Sequence, residues 1–347
     1  MNLFQRYLVE EFAEDYQEGR ISRREALKLI ASITGSILAA STILAACTTP
    51  EETAAPTDPQ AQTPTRAEPA TQAPPTPTEA MPATAAPSAT LMAEASDTPE
   101  VNTTLTPSPA VTVDPNDAEI EAGDVEFTGD DGSTLLGYQA RPAGEGPFAV
   151  VLVCHENRGL TTHIQDVTRR LAKAGYAALA VDLLARQGGT AALGSDQIPG
   201  ALGNTPPDQF VQDFLSGWHF MGSQPGIQAE RVGMVGFCFG GGVTWRMATH
   251  MPELRAAVPF YGPHPPVEDI PKIQAAVLAI YAERDQRINS GIPPIEEAMQ
   301  QHNKIYEKII YPGTDHAFHN DTGSRYNAQA AQDAWQKTLD WFEKYLT

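Results

Sequence analysis

Residues 231–242 read Arg231-Val232-Gly233-Met234-Val235-Gly236-Phe237-Cys238-Phe239-Gly240-Gly241-Gly242. An apolar run ends in Gly-x-Cys-x-Gly, and Thr244 to His250 beyond it can carry a helix, so the order is strand, tight turn, helix. This is the nucleophile-elbow pattern with cysteine in the position usually held by serine. A side chain on such a turn is pushed out of the carboxyl end of its strand into a crevice, and the following N–H faces the same space. The flanking glycines let helix and strand approach the strained residue. Taken alone, the stretch also fits a buried structural cysteine. Phosphate cradling is disfavoured, because the Walker lysine is missing and the Gly-x-Gly-x-x-Gly spacing is not met.

Outward from this turn, apolar runs alternate with helical spacing. Val125 to Phe127 and Leu135 to Arg141, separated by Gly129-Asp130-Asp131-Gly132, predict an opening β-hairpin. Ala149 to Cys154, Tyr176 to Val181, Arg231 to Phe237, Ala256 to Tyr261, Val277 to Ala282 and Ile305 to Tyr311 predict strands. Helices are predicted over His163 to Ala174, Asp208 to Gly222, Pro293 to His302 and about Tyr326 to Leu346. Buried strands alternating with helices give an α/β fold, a mostly parallel, doubly wound sheet with helices on both faces. Ligands of such sheets bind outside the carboxyl ends of the strands, where Cys238 is placed.

A cysteine nucleophile needs a base, and the base needs an orienting acid. Most histidines fall on helices or Pro-rich loops, but His316, in Tyr311-Pro312-Gly313-Thr314-Asp315-His316, follows the last strand. Asp285 follows a strand in the same way in Ala282-Glu283-Arg284-Asp285, with Glu283 and Arg284 expected to pair locally. His316-x-x-His319 with Asp315 and Asp321 has some metal-ligand character, but no metalloprotease glutamate accompanies it, and no metal is expected. The order Cys, Asp, His is that of an α/β-hydrolase triad. The backbone amides of Phe239 and Asn157 are the predicted oxyanion donors. Glu156 can hold or release the thiol proton, the alternative being an ion pair with Arg158.

With Gly236-Phe237-Cys238-Phe239-Gly240, Asp285, His316 and Glu156 in place, residues from about 120 to 346 resemble the dienelactone hydrolase family. Asp182-Leu183-Leu184-Ala185-Arg186-Gln187, Tyr311-Pro312-Gly313 and His316-Ala317-Phe318 add to the resemblance. The resemblance implies Cys238 as nucleophile, His316 as general base and acid, Asp285 as its orienter, and Glu156 as the group keeping the resting thiol protonated. It implies hydrolysis of a small ester or enol-lactone through an acyl-thioester enzyme, with no cofactor. Where the family's substrate carboxylate binds, the sequence departs from the pattern: His319-Asn320 replaces the expected arginine, and Pro206-Pro207-Asp208-Gln209-Phe210 lacks the other. Arg325 and Arg186 are the candidate substitutes, with Tyr261 as a further substrate-binding candidate and a substrate other than dienelactone expected. A binding protein without turnover and a related reaction such as dehalogenation are the alternatives.

The chain ahead of this domain reads as an address followed by a leash. Ser22-Arg23-Arg24 precedes a weakly apolar run from Leu29 to Ala46 that ends Leu44-Ala45-Ala46-Cys47. This looks like a twin-arginine export signal with a lipobox, and implies an exported lipoprotein anchored to a membrane through Cys47; an uncleaved anchor helix is the alternative. Residues 1–21 are acidic, with Glu10, Glu11, Glu14, Asp15 and Glu18, which nothing in the export reading explains. Residues 48–118 contain no Phe, Trp or Tyr, and 45 of the 71 are Pro, Thr or Ala. Such a segment predicts a disordered tether of roughly 45 Å or more. The net charge is −20, with no basic footprint, so nucleic acid is not an expected partner. With Cys47 acylated, Cys154 and Cys238 remain; the simpler reading of Cys154 is a core residue, the alternative a redox partner for Cys238.

Overall fold

Phe148-Ala149-Val150-Val151-Leu152-Val153-Cys154 forms β3 (Phe148–Cys154), buried along all but its first residue, because helices cover both faces of the strand. In the computed structural model, which describes residues 1–47 and 112–347, it lies at the centre of an eight-stranded sheet. The strand order is β1-β2-β4-β3-β5-β6-β7-β8. β1 (Ile120–Thr128) and β2 (Thr134–Pro142) form the expected hairpin, and β2 pairs antiparallel with β4 (Ala177–Val181). The rest, including β5 (Ile227–Phe237), β6 (Ala256–Phe260), β7 (Ala276–Ala282) and β8 (Tyr306–Tyr311), pair in parallel. This is the α/β-hydrolase fold.

The predicted helices appear as α4 (Thr162–Lys173), α6 (Pro207–Gly222), α9 (Ile292–Gln301) and α10 (Ala328–Leu346). A short α5 (Ile198–Asn204) lies ahead of α6, in a Gly/Pro-containing stretch with too few turns to show a period. After β5 the chain reverses at Cys238 (φ 59°, ψ −120°) into α7 (Phe239–His250), which starts five residues earlier than expected. The strand order turns back between β3 and β5, and the carboxyl ends of these two strands frame the crevice.

The largest difference from expectation lies at the amino terminus. Residues 1–47 form α1 (Leu3–Gln17), α2 (Arg23–Thr34) and α3 (Ile37–Cys47), which pack into the same apolar core as the sheet. α1 buries Phe4, Tyr7, Leu8, Glu11, Phe12 and Asp15, residues at helical spacing on one face. Asn2 and Gln5 close a reciprocal capping box at its start. The apolar run from Leu29 to Ala46 is two helices, because Gly35 (φ 70°) caps α2 in the left-handed region. No described helix is long and apolar enough to cross a membrane. Most of the expected tether, and the side chain of Cys47, lie outside the described residues.

The elbow leaves no room for side chains at its glycines. A Cβ on Gly236 would meet the Gly240 carbonyl oxygen at 2.2 Å, and one on Gly240 would meet the carbonyl oxygens of Cys154 and His155 at 2.5 Å. These are backbone atoms of α7, of β3 and of its exit loop, and cannot swing aside. Gly240→Ala is expected to destabilise the fold by about 2 kcal/mol or more in chemical denaturation, in the range of core overpacking; an unchanged midpoint would contradict this packing.

Candidate active site

Three loops leaving the carboxyl edge of the sheet bring Cys238, Asp285 and His316 together. Cys238 sits on the elbow and is 3% exposed. Asp285 caps the single turn α8 (Gln286–Asn289), accepting from the Ile288 N–H at 3.3 Å, and its other oxygen meets His316 Nδ1 at 2.6 Å. Because a carboxylate can only accept, Nδ1 carries the hydrogen and Nε2 presents its lone pair to the crevice. Burial opposes the charge on Asp285, but His316, Arg287 and the Ile288 N–H outweigh it and hold the carboxyl below its usual range.

The Asp285 and His316 loops are stitched to each other. Glu283 accepts from the Gly313 N–H at 2.7 Å, the Arg284 N–H donates to the Thr314 carbonyl at 3.1 Å, and the Arg284 guanidinium lies 3.3 Å from Asp315. Glu283 and Arg284 therefore pair across the loops rather than with each other, as local sequence suggested. This geometry fixes the distance between acid and base.

The two oxyanion candidates differ in what they meet. The Phe239 N–H is directed at Cys238, and the Asn157 N–H donates to no group among the described residues. Tyr261 (φ 36°) is buried beside His316, with ring centroids 4.9 Å apart, and burial pushes its hydroxyl pKa well up, the His319 backbone opposing in part. Arg325 joins the pocket and faces Asp15 of α1 at 3.7 Å. Arg186 does not join it. It pairs with Asp213 at 2.7 Å and Asp131 at 2.8 Å, and lines a separate cavity of about 980 Å³ beside α2 and α5. The acidic partner on α6 could not be inferred from spacing.

Glu156 is buried after β3 but contacts neither the thiol nor Arg158. It accepts from Asn320 Nδ2 at 2.6 Å, so Asn320, standing where the resemblance leads one to expect arginine, holds this carboxylate in place. Burial pushes its pKa up, against the pull of His163, Asn320 and His316. Among the described residues His316, His319, Asp315 and Asp321 do not gather their ligand atoms, whereas Glu11, Cys238 and His316 bring theirs within 4.8 Å of one another. His319 stacks on Phe237 at 4.9 Å, Asp321 meets His163 at 2.8 Å, and Asp315 faces Arg284. Cys154 and Cys238 are both free and buried, and burial pushes the Cys154 thiol well up.

Sequence reading missed α1. The Tyr7 hydroxyl lies 3.1 Å from Cys238 Sγ and 3.3 Å from His316 Nε2, and so stands between them. Glu11 places its oxygens 3.6 and 3.8 Å from Sγ and 3.9 Å from Nε2. Arg287 stacks over the Tyr7 ring at 4.6 Å and meets Glu14 at 3.1 Å. The apolar period at Phe4, Leu8 and Phe12 signals a core helix, but the acidic residues and nearby arginine pair hide it.

Comparison with known proteins places this geometry. The model of the dienelactone hydrolase family matches residues 135–346, more than half of the chain. The chain belongs to the dienelactone hydrolase family. It is 37% identical over 237 residues to a "Putative carboxymethylenebutenolidase" of Methylorubrum extorquens, covering 65% of this chain and 81% of that protein. It is 34% identical over 230 residues to a protein of the same description from Escherichia coli K12, covering 62% and 84%. A solved "Putative Dienelactone Hydrolase" from Klebsiella pneumoniae superposes with a TM-score of 0.61 at 32% identity, covering 65% of this chain and 99% of that one. As a member of this family the chain is a hydrolase. The family match contains Cys238, Asp285, His316 and Glu156 and begins beyond α1, so Tyr7 and Glu11 enter the pocket from outside the matched region.

Burial, Glu11 and Glu156 push the Cys238 thiol well above its ordinary pKa, and the Tyr7 and Phe239 hydrogen bonds only partly oppose them. A raised thiol pKa means little thiolate at neutral pH. Alkylation of Cys238 by iodoacetamide, followed by peptide mass spectrometry, should be slower at pH 7 than that of a free cysteine and still climbing above pH 9. A plateau below pH 8 would contradict the electrostatics described here.

Proposed function

We propose that the chain hydrolyses a small carboxylic ester or enol-lactone through an acyl-thioester on Cys238. The observation that carries this reading is the 2.6 Å bond from Asp285 to His316 Nδ1, which turns Nε2 toward the crevice that holds the elbow cysteine. His316 Nε2 takes the thiol proton as Sγ attacks the carbonyl carbon, and the Phe239 and Asn157 amides receive the developing oxyanion. The tetrahedral species collapses, the alkoxide or enolate leaves, and His316 returns the proton to it. Water then attacks the thioester, His316 takes its proton, and collapse releases the acid and restores the thiol. Arg325, electrostatically coupled to Cys238, is the group we assign to a polar or anionic part of the substrate; Tyr261 lines the acyl side.

Cys238→Ala should abolish turnover of small aryl esters, and His316→Ala and Asp285→Asn should each lower kcat/KM by about 10³-fold or more. Wild-type turnover in Cys238→Ala would rule the mechanism out.

We also infer export and membrane anchoring through Cys47, supported by the Ser22-Arg23-Arg24 and Leu44-Ala45-Ala46-Cys47 signatures. Cys47→Ala should move the protein from the membrane to the soluble fraction of its native cells; unchanged membrane partition would count against lipidation.

A further inference from the structure

We propose that α1 is an intramolecular inhibitor, which occupies the active-site crevice and must leave it before a substrate reaches Cys238. The inference rests on Cys238 being the nucleophile, and goes beyond that reading by assigning the acidic amino-terminal segment a role in the reaction cycle.

Four observations converge on it. The Tyr7 hydroxyl bonds to both Cys238 Sγ and His316 Nε2, and no direct bond joins thiol and base. The position between them is the one across which the proton has to pass. Glu11 lies against the same two groups and raises the thiol pKa, so the docked helix keeps Cys238 in its unreactive protonated form. The resemblance assigned this duty to Glu156, which also raises the thiol pKa but is held by Asn320 and makes no hydrogen bond to Sγ. Two arginines beside the crevice face α1 carboxylates: Arg287 Nε meets Glu14 at 3.1 Å and Arg325 faces Asp15 at 3.7 Å. Finally, Phe4 seats α1 on the elbow itself, with its ring 4.9 Å from Phe239 and 5.4 Å from Phe210. Cys238 is left 3% exposed, too closed for an ester carbonyl to approach.

The contact is also built to be reversible. Glu11 is 4% exposed, and its only described hydrogen bonds are the two long ones from the Cys238 thiol. The charges of Arg325, Arg287 and His316 act on it from a distance, but without a strong hydrogen bond its burial still opposes docking, while the apolar stripe favours it. On the export reading, cleavage ahead of Cys47 would remove α1 together with α2 and α3 and uncover the thiol in the same step.

The test uses the full chain. In Phe4→Ala/Leu8→Ala, the second-order rate of Cys238 alkylation by iodoacetamide and kcat/KM for p-nitrophenyl acetate should each rise at least tenfold, with circular dichroism and thermal melting confirming a folded sheet. Tyr7→Phe, which leaves thiol and base free to meet directly, should raise kcat/KM by a few fold. Wild-type alkylation in the double variant would overturn the proposal. So would a tenfold loss of turnover in Tyr7→Phe, since α1 would then be a working part of the catalytic site. A rise in alkylation without ester turnover would uphold α1 as an inhibitor while rejecting the ester reading. A second measurement avoids destabilised variants: when wild-type Cys238 is labelled with a pyrenyl iodoacetamide, the amides of residues 3–17 should lose hydrogen-exchange protection while those of α7 and α10 keep theirs. Full protection of α1 in the labelled protein would also overturn the proposal.

Discussion

The backbone at Cys238 is the constraint on which the structure depends. A non-glycine residue at φ 59° and ψ −120° is strained by about 1–3 kcal/mol, and persists only where its surroundings allow no alternative. Here the surroundings are backbone. Gly236 and Gly240 let β5 and α7 close on each other, Gly240 rests against the carbonyls leaving β3, and the Cys238 N–H is taken by the Phe260 carbonyl at 3.0 Å. The elbow is thus clamped by strands on both sides. The same clamp brings the Phe239 amide, the Asn157 loop and the thiol to one point.

Around that point, charge is managed by distributing it. Glu11, Asp15, Glu156 and Asp285 are all buried around this region, and each is met differently: Asp285 by a short bond to His316, Glu156 by Asn320, Asp15 by Arg20 and Arg325, and Glu11 by Arg325, Arg287 and His316 without a short hydrogen bond. A low-dielectric pocket makes such differences large. The carboxylate with the shortest bond holds His316, and the one without such a bond sits on the helix that covers Cys238.

The parallel sheet and the meeting of Asp285 with His316 near the elbow were legible because they are written in local signals. Apolar runs such as Ala149 to Cys154 read as doubly covered strands once their length is counted, and the elbow glycines around Cys238 set it apart from Cys154, which also ends a strand. Partner choice was less legible. Arg186 looked available until α6 placed Asp213 beside it, and Glu283 and Arg284, adjacent in sequence, each reach across to the next loop. α1 was misread for a different reason. Its stripe of Phe4, Tyr7, Leu8, Glu11 and Phe12 mixes core and polar groups, and a polar residue on a buried helix face makes sense only once the facing site is known.

The docking of α1 also sets an order in time. The helix precedes the whole sheet, yet the surface it covers is made by Phe239, Arg287, His316 and Arg325, the last of which follows the final strand. During synthesis α1 emerges well before that surface and has nothing to bind until about three hundred further residues have been made and folded. Its seat therefore exists only in a finished domain. A chain whose sheet is incomplete would carry a free α1, with its apolar face in solvent, and the position of this one helix distinguishes a completed molecule from an unfinished one.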